Sequence, residues 1–328
     1  MFNLAKLKFD DIFENRLSQD EVRDYLIELY KRGETAAEIA AAASAMREHM
    51  IPLAIDYELK SKTIDVVGTG GDKSYSFNIS STVSILLASC GSYVAKHGNR
   101  SITSKSGSAD MLEFLGINLN LTSPKLVTML EETGFCFMFA ANHHPAMKYI
   151  MPIRKSIDHR TIFNILGPLS NPASVSKQMV GVFSKDYVGK LTDALNMLDT
   201  KRAMVVSSND GMDEISISDI TFANSLINGK IEEFEIDPQL LGFKLSSKDS
   251  IVGGDAKINA KITKDILENK ITDSKLDIVL LNAAASLVVD DKARDMKEGI
   301  EIARNAILSG KSKKKLEEII KISNQLIK

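Results

Sequence analysis

The fold of this chain is decided by the stretch Asp65-Val-Val-Gly-Thr-Gly-Gly-Asp72, which is continued after five residues by Asn78-Ile-Ser-Ser-Thr82. An apolar run typical of a strand enters three glycines, and apolar residues at helical spacing begin just after Asn78. Glycine lets backbone N–H groups approach an anion closely, and a helix N-terminus adds partial positive charge. The stretch therefore predicts a phosphate cradle. It is not a Walker loop, and its glycine spacing alone fits an ordinary capped turn equally well.

Strand and helix patterns alternate from Thr63 onward, which predicts an α/β fold with a mostly parallel sheet flanked by helices. The predicted strands are Ile64–Val67, Tyr93–Ala95, Phe135–Phe139, Met179–Phe183, Ala203–Val206 and Ile278–Leu281. Residues 1–62 are predicted to form a small helical domain on the larger domain of residues 63–328. Part of residues 155–175 is a candidate addition to the helical domain. Residues 222–255 show no clear period and carry no prediction.

Helix signals dominate the first sixty residues. Ser18 with Glu21, and Thr35 with Glu38, have the spacing of a capping box. The alanine-rich helix that follows permits close helix approach, either inside the domain or between two subunits. The tail Lys311–Lys328 predicts a basic amphipathic helix, for which a solvated face is a simpler interpretation than a nucleic-acid arm.

The composition excludes several classes of protein. Lys and Arg number 41 against 43 Asp and Glu, and the net charge of −2 offers no general attraction to nucleic acid or to an anionic membrane. Cys90 and Cys136 lie in apolar runs, as buried thiols do. The N-terminus lacks the apolar region of a secretory signal, and no apolar run reaches membrane-spanning length. We expect a soluble cytoplasmic protein without a nucleic-acid or membrane partner.

A second polar segment directly follows the strand predicted at Tyr93–Ala95. It reads Lys96-His-Gly-Asn-Arg100, then Ser101 to Lys105, then Ser106-Gly-Ser-Ala-Asp110. Lys96 and Arg100 supply positive charge, and Ser106 to Ser108 supply small donors. Ser108 also fits the N-cap of a helix over Ala109–Leu115. Because ligands bind at the carboxyl ends of parallel strands, two such loops after successive strands predict one shared site.

A third segment contains Asn142-His-His-Pro-Ala-Met-Lys148, Arg154 and Phe163-Asn-Ile-Leu-Gly-Pro-Leu-Ser-Asn-Pro172. Zinc is disfavoured because no Cys or Glu stands at ligand spacing near the two histidines. The Arg154 guanidinium is a candidate partner for a substrate carboxylate, with an ordinary surface ion pair as the alternative. The Gly-Pro and Asn-Pro pairs predict a rigid loop.

A fourth segment, Ser207-Ser-Asn-Asp-Gly-Met-Asp-Glu214, follows the strand predicted at Ala203–Val206. Two adjacent carboxylates on a loop suit Mg²⁺, which keeps water and phosphate oxygens as its other ligands. Taken alone, Asp213-Glu214 is a weak signal, since most acidic pairs on loops are solvated. It gains meaning from the phosphate-binding character of the other segments.

Together these segments closely resemble the anthranilate phosphoribosyltransferase family. The matching pieces, in family order, are Gly68-Thr-Gly-Gly-Asp72, Asn78-Ile-Ser-Ser81, Lys96-His-Gly-Asn-Arg100, Ser106-Gly-Ser-Ala-Asp110, His144-Pro-Ala-Met-Lys148, Arg160-Thr-Ile-Phe-Asn-Ile-Leu-Gly-Pro168 and Asp213-Glu214, with Asn282-Ala-Ala-Ala285 further on. The resemblance implies transfer of the 5-phosphoribosyl group from phosphoribosyl pyrophosphate to anthranilate, in tryptophan biosynthesis, with Mg²⁺. It also implies a homodimer joined through the N-terminal helices.

The resemblance further implies roles for single residues. Contacts to phosphoribosyl pyrophosphate are implied for Gly68, Thr69, Gly70, Gly71, Asp72, Ser76, Asn78, Ile79, Ser80, Ser81, Lys96 and Ser108. Contacts to anthranilate are implied for Gly68, Asn99, His144, Arg154 and Gly167, and contacts to Mg²⁺ for Ser80, Asp213 and Glu214. Lys96 is expected to stabilise the departing pyrophosphate. No general base is assigned, because an aromatic amine is already a usable nucleophile.

The chain departs from the family pattern in three places. Ser81 stands where the family usually has Thr, and His143 stands where Tyr is common. Asp158-His159 lie in a stretch where the family usually has a glycine.

Two alternative functions remain open. A pyrimidine nucleoside phosphorylase shares the fold but has no need of a metal pair. A nucleic-acid-binding paralogue without transferase activity is the second alternative, against which the net negative charge argues.

Overall fold

A computed structural model describes residues 1–100 and 105–327. The helices are α1 (Phe2–Phe13), α2 (Gln19–Arg32), α3 (Ala36–Glu48), α4 (Tyr57–Lys62), α5 (Ile79–Ser89), α6 (Ser108–Phe114), α7 (Ser123–Thr133), α8 (Ala140–His143), α9 (Met147–Lys155), α10 (Phe163–Leu166), α11 (Asp186–Met197), α12 (Ala256–Leu267), α13 (Ser274–Val289), α14 (Met296–Leu308) and α15 (Lys311–Gln325). The strands are β1 (Thr63–Gly68), β2 (Tyr93–Gly98), β3 (Phe135–Phe139), β4 (Lys177–Gly181), β5 (Arg202–Ser208), β6 (Thr221–Ile227) and β7 (Lys230–Ile236).

The strands form one sheet in the order β3-β2-β1-β4-β5-β6-β7. The first five strands of that order run parallel, while β6 pairs antiparallel with both β5 and β7. The chain moves outward one way from β1 through β2 to β3, and the other way from β4 to β5. A topological switch point therefore lies between β1 and β4, where ligands of open α/β sheets bind. The predicted mostly parallel sheet is confirmed.

Alternate side chains of the strands face two separate hydrophobic cores. On one face, Met179 and Met204 pack with helices that include α5, α7 and α13. On the other face, Val180 and Val205 pack with the N-terminal helices α1–α3 and with α9–α11. A helical N-terminal domain on a larger α/β domain is thus confirmed.

The local signals of the N-terminal helices are also confirmed. Both capping boxes form, from Ser18 with Glu21 and from Thr35 with Glu38. Five alanines of α3 (Ala40–Ala43 and Ala45) are buried within the chain, Ala36 and Ala37 are half-buried, and α3 packs against α1 and α11. The alanine-rich surface is therefore a contact inside the subunit.

Three expectations about elements need correction. The strand predicted at Ile278–Leu281 is wrong, because these residues lie inside α13. That helix is apolar on nearly every side and buried along most of its length, so its sequence shows no helical period. The strand predicted at Met179–Phe183 begins two residues earlier. The helix that Ser108 was expected to cap instead begins at Ser108, and Gly107 caps it.

The stretch without a prediction contains a β-hairpin. Asn228 and Gly229 join β6 to β7, and their φ angles are 49° and 84°. A two-residue turn of this kind matches the twist of the flanking strands and favours Asn-Gly. No helix in the described part of the chain is both long and apolar enough to cross a bilayer.

Candidate active site

The loops that follow β1, β2, β4 and β5 meet at the carboxyl edge of the sheet. The Thr69 N–H donates to the Gly181 carbonyl at the end of β4, at 2.9 Å. The Gly70 N–H donates to Asp213 Oδ2 in the loop after β5, at 2.6 Å. A Cβ on Gly68 would overlap Asp213 Oδ2, so the close approach of these loops requires glycine. The predicted phosphate cradle and the predicted metal loop therefore share one site.

The loop between β1 and α5 has an unusual backbone. Gly70 and Gly71 have φ angles of 70° and 73°, and Lys73 and Tyr75 follow with 60° and 54°. The left-handed region is readily available to glycine but is strained for residues with side chains. Left-handed residues in a turn direct backbone N–H groups into concave anion sites. This geometry supports phosphate binding.

Three buried polar atoms of this loop and of α5 have no hydrogen-bond partner among the residues that the structure describes. They are Thr69 Oγ1, Asp72 Oδ2 and Ser81 Oγ. An unsatisfied buried polar atom costs about 1–3 kcal/mol, so several at one place indicate that a ligand supplies the partners. All three belong to residues that the sequence predicted to bind the phosphoribosyl donor.

Lys96 is buried below this cradle, with 2% of its surface exposed. Its ammonium donates to the Val66 carbonyl at 2.6 Å and to Ser80 Oγ at 3.2 Å. Burial lowers the pKa of Lys96, and the charges of Asp65 and Glu214 oppose that change. Burial also raises the pKa of Asp65 to about 6, although Lys96 acts against it. The lysine thus connects the cradle to the acidic loop.

Asp213 and Glu214 carry negative charge that the protein compensates only in part. Burial raises the pKa of Asp213, and the nearby Asp72 carboxylate adds to the effect. Burial and then the Asp213 charge raise the pKa of Glu214 well above its usual range. Carboxylate and hydroxyl oxygens suit Mg²⁺, and the unpartnered Asp72 Oδ2 adds to the excess of acceptors. The donor set therefore fits a hard divalent cation.

This donor set does not form a complete metal site without a substrate. Residues 1–100 and 105–327 contain no group of three or more His, Cys, Asp or Glu side chains set to hold a metal ion. Mg²⁺ commonly binds through one or two carboxylates and takes phosphate oxygens and water as its other ligands. The arrangement matches that mode of binding.

Two buried histidines form a second part of the site. The His97 and His144 ring centroids lie 5.1 Å apart, and His97 Nδ1 lies 3.3 Å from the Gly167 carbonyl oxygen. Burial lowers the pKa of His97 to about 3 and that of His144 to about 4, so both rings are neutral at pH 7. His143 Nδ1 instead lies 2.7 Å from the Ile51 carbonyl oxygen, which ties α8 to the segment after α3.

Arg154 projects from α9 without a carboxylate partner in the described residues. Its guanidinium lies 5.8 Å from the Phe163 ring centroid, and Nη1 lies 3.7 Å from Met151 Sδ. Burial lowers its pKa. The alternative of a surface ion pair is therefore wrong. No hydrogen bond, ion pair or ring contact links Arg154 to His144 or Gly167 within residues 1–100 and 105–327.

Of the remaining predicted residues, Ile79 is buried at the start of α5 and Ser76 is half-buried. Asn99 is exposed, and its carbonyl accepts from the Ala109 N–H at 3.3 Å and from Ser108 Oγ at 3.5 Å. Ser76 pairs with Val252 in an isolated β-bridge. Part of the predicted serine-rich loop, residues 101–104, lies outside the described residues.

Sequence reasoning missed three residues that support the site. Asn171 Nδ2 donates to Asp65 Oδ2 at 2.8 Å and to the Ala95 carbonyl at 2.9 Å, which holds β1 and β2 together. Arg160 donates to the Gly71 carbonyl and lies over the Phe183 ring at 3.6 Å. Asn259, on α12, contacts the start of α5. The sequence did contain signals for two of them, since Asn171 belongs to the Asn-Pro pair and Arg160 begins a motif of the family. No sequence pattern pointed to Asn259.

Comparison with known proteins agrees with this geometry. Residues 60–313 match the α/β domain of a glycosyl transferase family, and residues 5–50 match the helical bundle domain of that family. Anthranilate phosphoribosyltransferase from Xanthobacter autotrophicus is 43% identical over 98% of this chain and 92% of its own length. The enzyme of that name from Methanobrevibacter smithii is 43% identical over 96% of this chain and 92% of its own length.

Solved structures give the same result. The crystal structure of anthranilate phosphoribosyltransferase from Thermus thermophilus matches with a TM-score of 0.92 and 33% identity, over 99% of this chain and 96% of that one. The Saccharomyces cerevisiae enzyme in complex with phosphoribosyl pyrophosphate and Mg matches with a TM-score of 0.86 and 27% identity, over 98% of this chain and 92% of that one. Sequence, fold and site geometry agree, and the chain belongs to the anthranilate phosphoribosyltransferase family.

Proposed function

We propose that this chain transfers the 5-phosphoribosyl group from phosphoribosyl pyrophosphate to the amine of anthranilate, giving N-(5-phosphoribosyl)anthranilate and pyrophosphate, a step of tryptophan biosynthesis. The observation that carries the proposal is the set of buried polar atoms on Thr69, Asp72 and Ser81 that have no hydrogen-bond partner among the described residues, above the buried ammonium of Lys96. A phosphate-rich ligand would supply the missing partners. The relatives of that name support the choice of acceptor.

The donor is proposed to bind along the loop between β1 and α5 and against the start of α5. The residues proposed to contact it are Gly68, Thr69, Gly70, Gly71, Asp72, Ser76, Asn78, Ile79, Ser80, Ser81, Lys96 and Ser108. Backbone N–H groups and the dipole of α5 favour the pyrophosphate charge. The buried ammonium of Lys96 would favour the same charge from below the loop.

Ser80, Asp213 and Glu214 are proposed to hold Mg²⁺ at this site. With Mg²⁺ held by these residues, part of the negative charge of the pyrophosphate would be neutralised. The proposal is supported by the raised pKa values of both carboxyls, because a divalent cation would stabilise their charged forms. The yeast relative with Mg bound has the same fold.

Anthranilate is proposed to bind beside Gly68, Asn99, His144, Arg154 and Gly167. The Arg154 guanidinium lacks a carboxylate partner in the described residues, so it can form a bidentate pair with the carboxylate of anthranilate. The His144 imidazole is neutral, and an uncharged side chain of this kind suits contact with the aromatic ring of anthranilate.

In the proposed reaction the amine nitrogen attacks C1 of the ribose, and the C1–oxygen bond breaks with inversion. The electron pair of that bond leaves with pyrophosphate, while the ribose gains positive character. The loops hold the two reactants in line, and Lys96 stabilises the developing charge on the leaving group. After the C1–nitrogen bond forms, the nitrogen loses one proton, which passes to water or to the departing pyrophosphate. This transfer needs no strong base, and the low pKa values of His97 and His144 make neither imidazole a strong base.

Replacing Lys96 by methionine is expected to reduce kcat about a hundredfold, the typical effect of removing one preorganised charge-stabilising donor. The change removes the ammonium but keeps most of the length of the side chain. Turnover is measured at saturating substrates. Lys62→Met, which removes an exposed lysine at the opposite end of β1, should leave turnover near wild type. An unchanged kcat in the folded Lys96 variant would refute the proposed role.

The proposed function is tested by the loss of anthranilate fluorescence on mixing with phosphoribosyl pyrophosphate, Mg²⁺ and the protein, with an EDTA control. A Mg²⁺-dependent loss supports it, and no loss with folded protein contradicts it. In that case, phosphorolysis of thymidine or uridine without Mg²⁺ would favour the phosphorylase alternative. Binding of single-stranded DNA would favour the paralogue. A cytoplasmic location without nucleic-acid or membrane partners stays a prediction from composition.

The proposed assembly is a homodimer joined through the N-terminal helices. Leu4 and Leu7 lie one turn apart on α1, and 76% and 62% of their surfaces are exposed. Sedimentation velocity should therefore show a dimer, and Leu4→Glu with Leu7→Glu should yield monomers. Leu308→Glu, at a similarly exposed leucine of α14, should leave the dimer intact. A monomeric wild type would contradict the assembly.

The helical domain is proposed to comprise residues 1–62 together with part of residues 155–175. Ile157, Ile162 and Phe163 belong to the same hydrophobic core as α1–α3, which supports the addition. The larger domain then contains the rest of residues 63–328.

A further inference from the structure

Two matched pairs of polar side chains join α5 to α12 beside the phosphate cradle. Asn259 Nδ2 donates to Asn78 Oδ1 at 2.9 Å, and the Thr82 and Thr263 hydroxyls lie 2.7 Å apart. Asn78 immediately precedes α5, and Thr82 lies four positions further on; Asn259 and Thr263 are also four positions apart on α12, so one pair lies a turn further along than the other. Asn259, Thr82 and Thr263 are buried. The pairs therefore fix how the start of α5 sits on α12.

The orientation of the Asn259 amide is set by a backbone group. The Gly254 N–H donates to Asn259 Oδ1 at 2.7 Å. Because a backbone N–H can only donate, the atom facing it must be the carbonyl oxygen, and the Asn259 amino group must face α5. That amino group can only donate in turn, so Asn78 must present its own carbonyl oxygen to Asn259.

The Asn78 amino group is consequently turned away from α12. Within the described residues its one hydrogen bond is a long one, 3.4 Å to the Ser106 carbonyl. Because the Ser106 carbonyl can only accept, this bond favours the same orientation, and Ser106 Oγ, 3.1 Å from Asn78 Oδ1, fits that orientation as a donor. The amino group of Asn78, at the start of the phosphate-binding helix, is thus kept available as a donor.

The segment that holds Asn259 has little freedom to move. The Gly253 N–H donates to the Tyr75 carbonyl at 2.9 Å. A Cβ on Gly253 would lie 2.5 Å from Asn259 Oδ1 and 2.6 Å from Phe77 Cα. Residues 251–254 are therefore packed tightly against residues 75–77, behind the cradle. Residues outside the substrate site therefore fix the direction of the hydrogen bond, in which Asn259 donates and Asn78 accepts.

We infer that Asn259 is a positioning residue for the phosphoribosyl donor: it forces Asn78 to offer an N–H group, not a carbonyl oxygen, to the phosphate oxygens. Phosphate oxygens accept hydrogen bonds, so a flipped Asn78 would lose a contact and add a repulsion. The inference rests on the proposed function, because it names a support for the donor site.

Asn259→Asp tests the inference with almost no change of shape. One carboxylate oxygen still accepts from Gly254, but the other cannot donate to Asn78, so the Asn78 amide is expected to flip. The KM for phosphoribosyl pyrophosphate should rise about tenfold or more, the effect of one lost hydrogen bond to a charged group. The kcat and the KM for anthranilate should change less than about threefold. At pH values low enough to protonate the introduced carboxylate, that group can donate again, and the KM of the variant should recover towards wild type.

Two neutral variants separate the amide flip from charge and from packing. Asn259→Leu removes the donor without adding charge and should also raise the KM for the donor substrate severalfold. Thr263→Val removes the matched bond one turn away and should lower thermal stability while leaving that KM unchanged. If the KM for phosphoribosyl pyrophosphate rises in Asn259→Asp but not in Asn259→Leu, the effect is due to the added charge, and the inference is overturned. If Thr263→Val raises this KM equally, the effect is due to the packing of α5 on α12, and the inference is overturned as well.

The wild-type enzyme distinguishes failure of this inference from failure of the proposed function. If the wild type shows no Mg²⁺-dependent transfer to anthranilate, the proposed function fails and this inference falls with it. If the wild type is active and both folded Asn259 variants keep its KM, the inference alone is wrong. Thermal unfolding monitored by circular dichroism establishes folding of each variant.

Discussion

Replacing Asp213 by asparagine together with Glu214 by glutamine is expected to reduce Mg²⁺-supported turnover about a thousandfold. Loss of a catalytic metal ion removes several kcal/mol of charge stabilisation, and each 1.36 kcal/mol is tenfold in rate. The amides keep the volume of the acids, and the amide oxygen introduced at position 213 can still accept from the Gly70 N–H. The fold should therefore survive. Because burial disfavours both native charges, the variant should unfold no more easily than wild type in EDTA.

The measurement is the fluorescence assay at saturating substrates across a Mg²⁺ titration, with thermal unfolding in EDTA. Asp219→Asn is the matched control, since its carboxylate lies in the same loop and bonds to Asn209 Nδ2 at 2.8 Å, away from the cradle. The turnover of this control should depend on the Mg²⁺ concentration as the turnover of the wild type does. Turnover of the double variant within tenfold of wild type would show that these acids do not hold the ion.

Gly181→Ala is expected to destabilise the protein by about 3 kcal/mol or more, the upper range for overpacking, or to prevent folding. A Cβ at this position would overlap the Asp213 carbonyl oxygen and lie 2.5 Å from its carbonyl carbon. These are backbone atoms, so no change of rotamer relieves the overlap. The loop after β5 must move, and any folded fraction should have lost Mg²⁺-supported activity.

Denaturant unfolding measures this effect, and Gly189→Ala provides the control. A Cβ on Gly189 would meet nothing within 4 Å, and the residue lies in the interior of α11. Alanine is favoured over glycine in a helix by about 0.5–1 kcal/mol, so this variant should be as stable as wild type or more stable. A Gly181→Ala protein that unfolds within about 1 kcal/mol of wild type would contradict the described packing of β4 against the loop after β5.

The sequence predicted the elements whose signals are local. The run from Asp65 to Thr82 contains a strand, a turn and a helix start within eighteen residues, and each has its own chemical requirement. The capping boxes at Ser18 and Thr35 are similar, because each is settled by residues three positions apart. The loops at the carboxyl edge could be assigned to one site because parallel strands bring their ends together.

Features that depend on distant packing could not be predicted. Helix α13 is buried by neighbours on both sides, so its apolar run at Ile278–Leu281 fits a strand equally well. The hairpin after β5 had a signal in Asn228-Gly229, but exposed glutamates in β7 hide the alternation of that strand. The bond between Asn78 and Asn259 spans 181 positions and follows only from the packing of α5 on α12. For the same reason, the sequence could not show that Arg154 has no carboxylate partner among residues 1–100 and 105–327.

The hydrophobic core shared by α1–α3 and α9–α11 has a consequence for how the chain is made. The ribosome releases the first three helices early, whereas their partners Ile150, Leu191 and Val205 follow more than a hundred residues later. Until those residues emerge, Phe9 and Leu26 have no complete core in which to be buried. Helices α1–α3 are therefore synthesised before the residues that complete their core, and they can reach their final packing only after those residues have emerged.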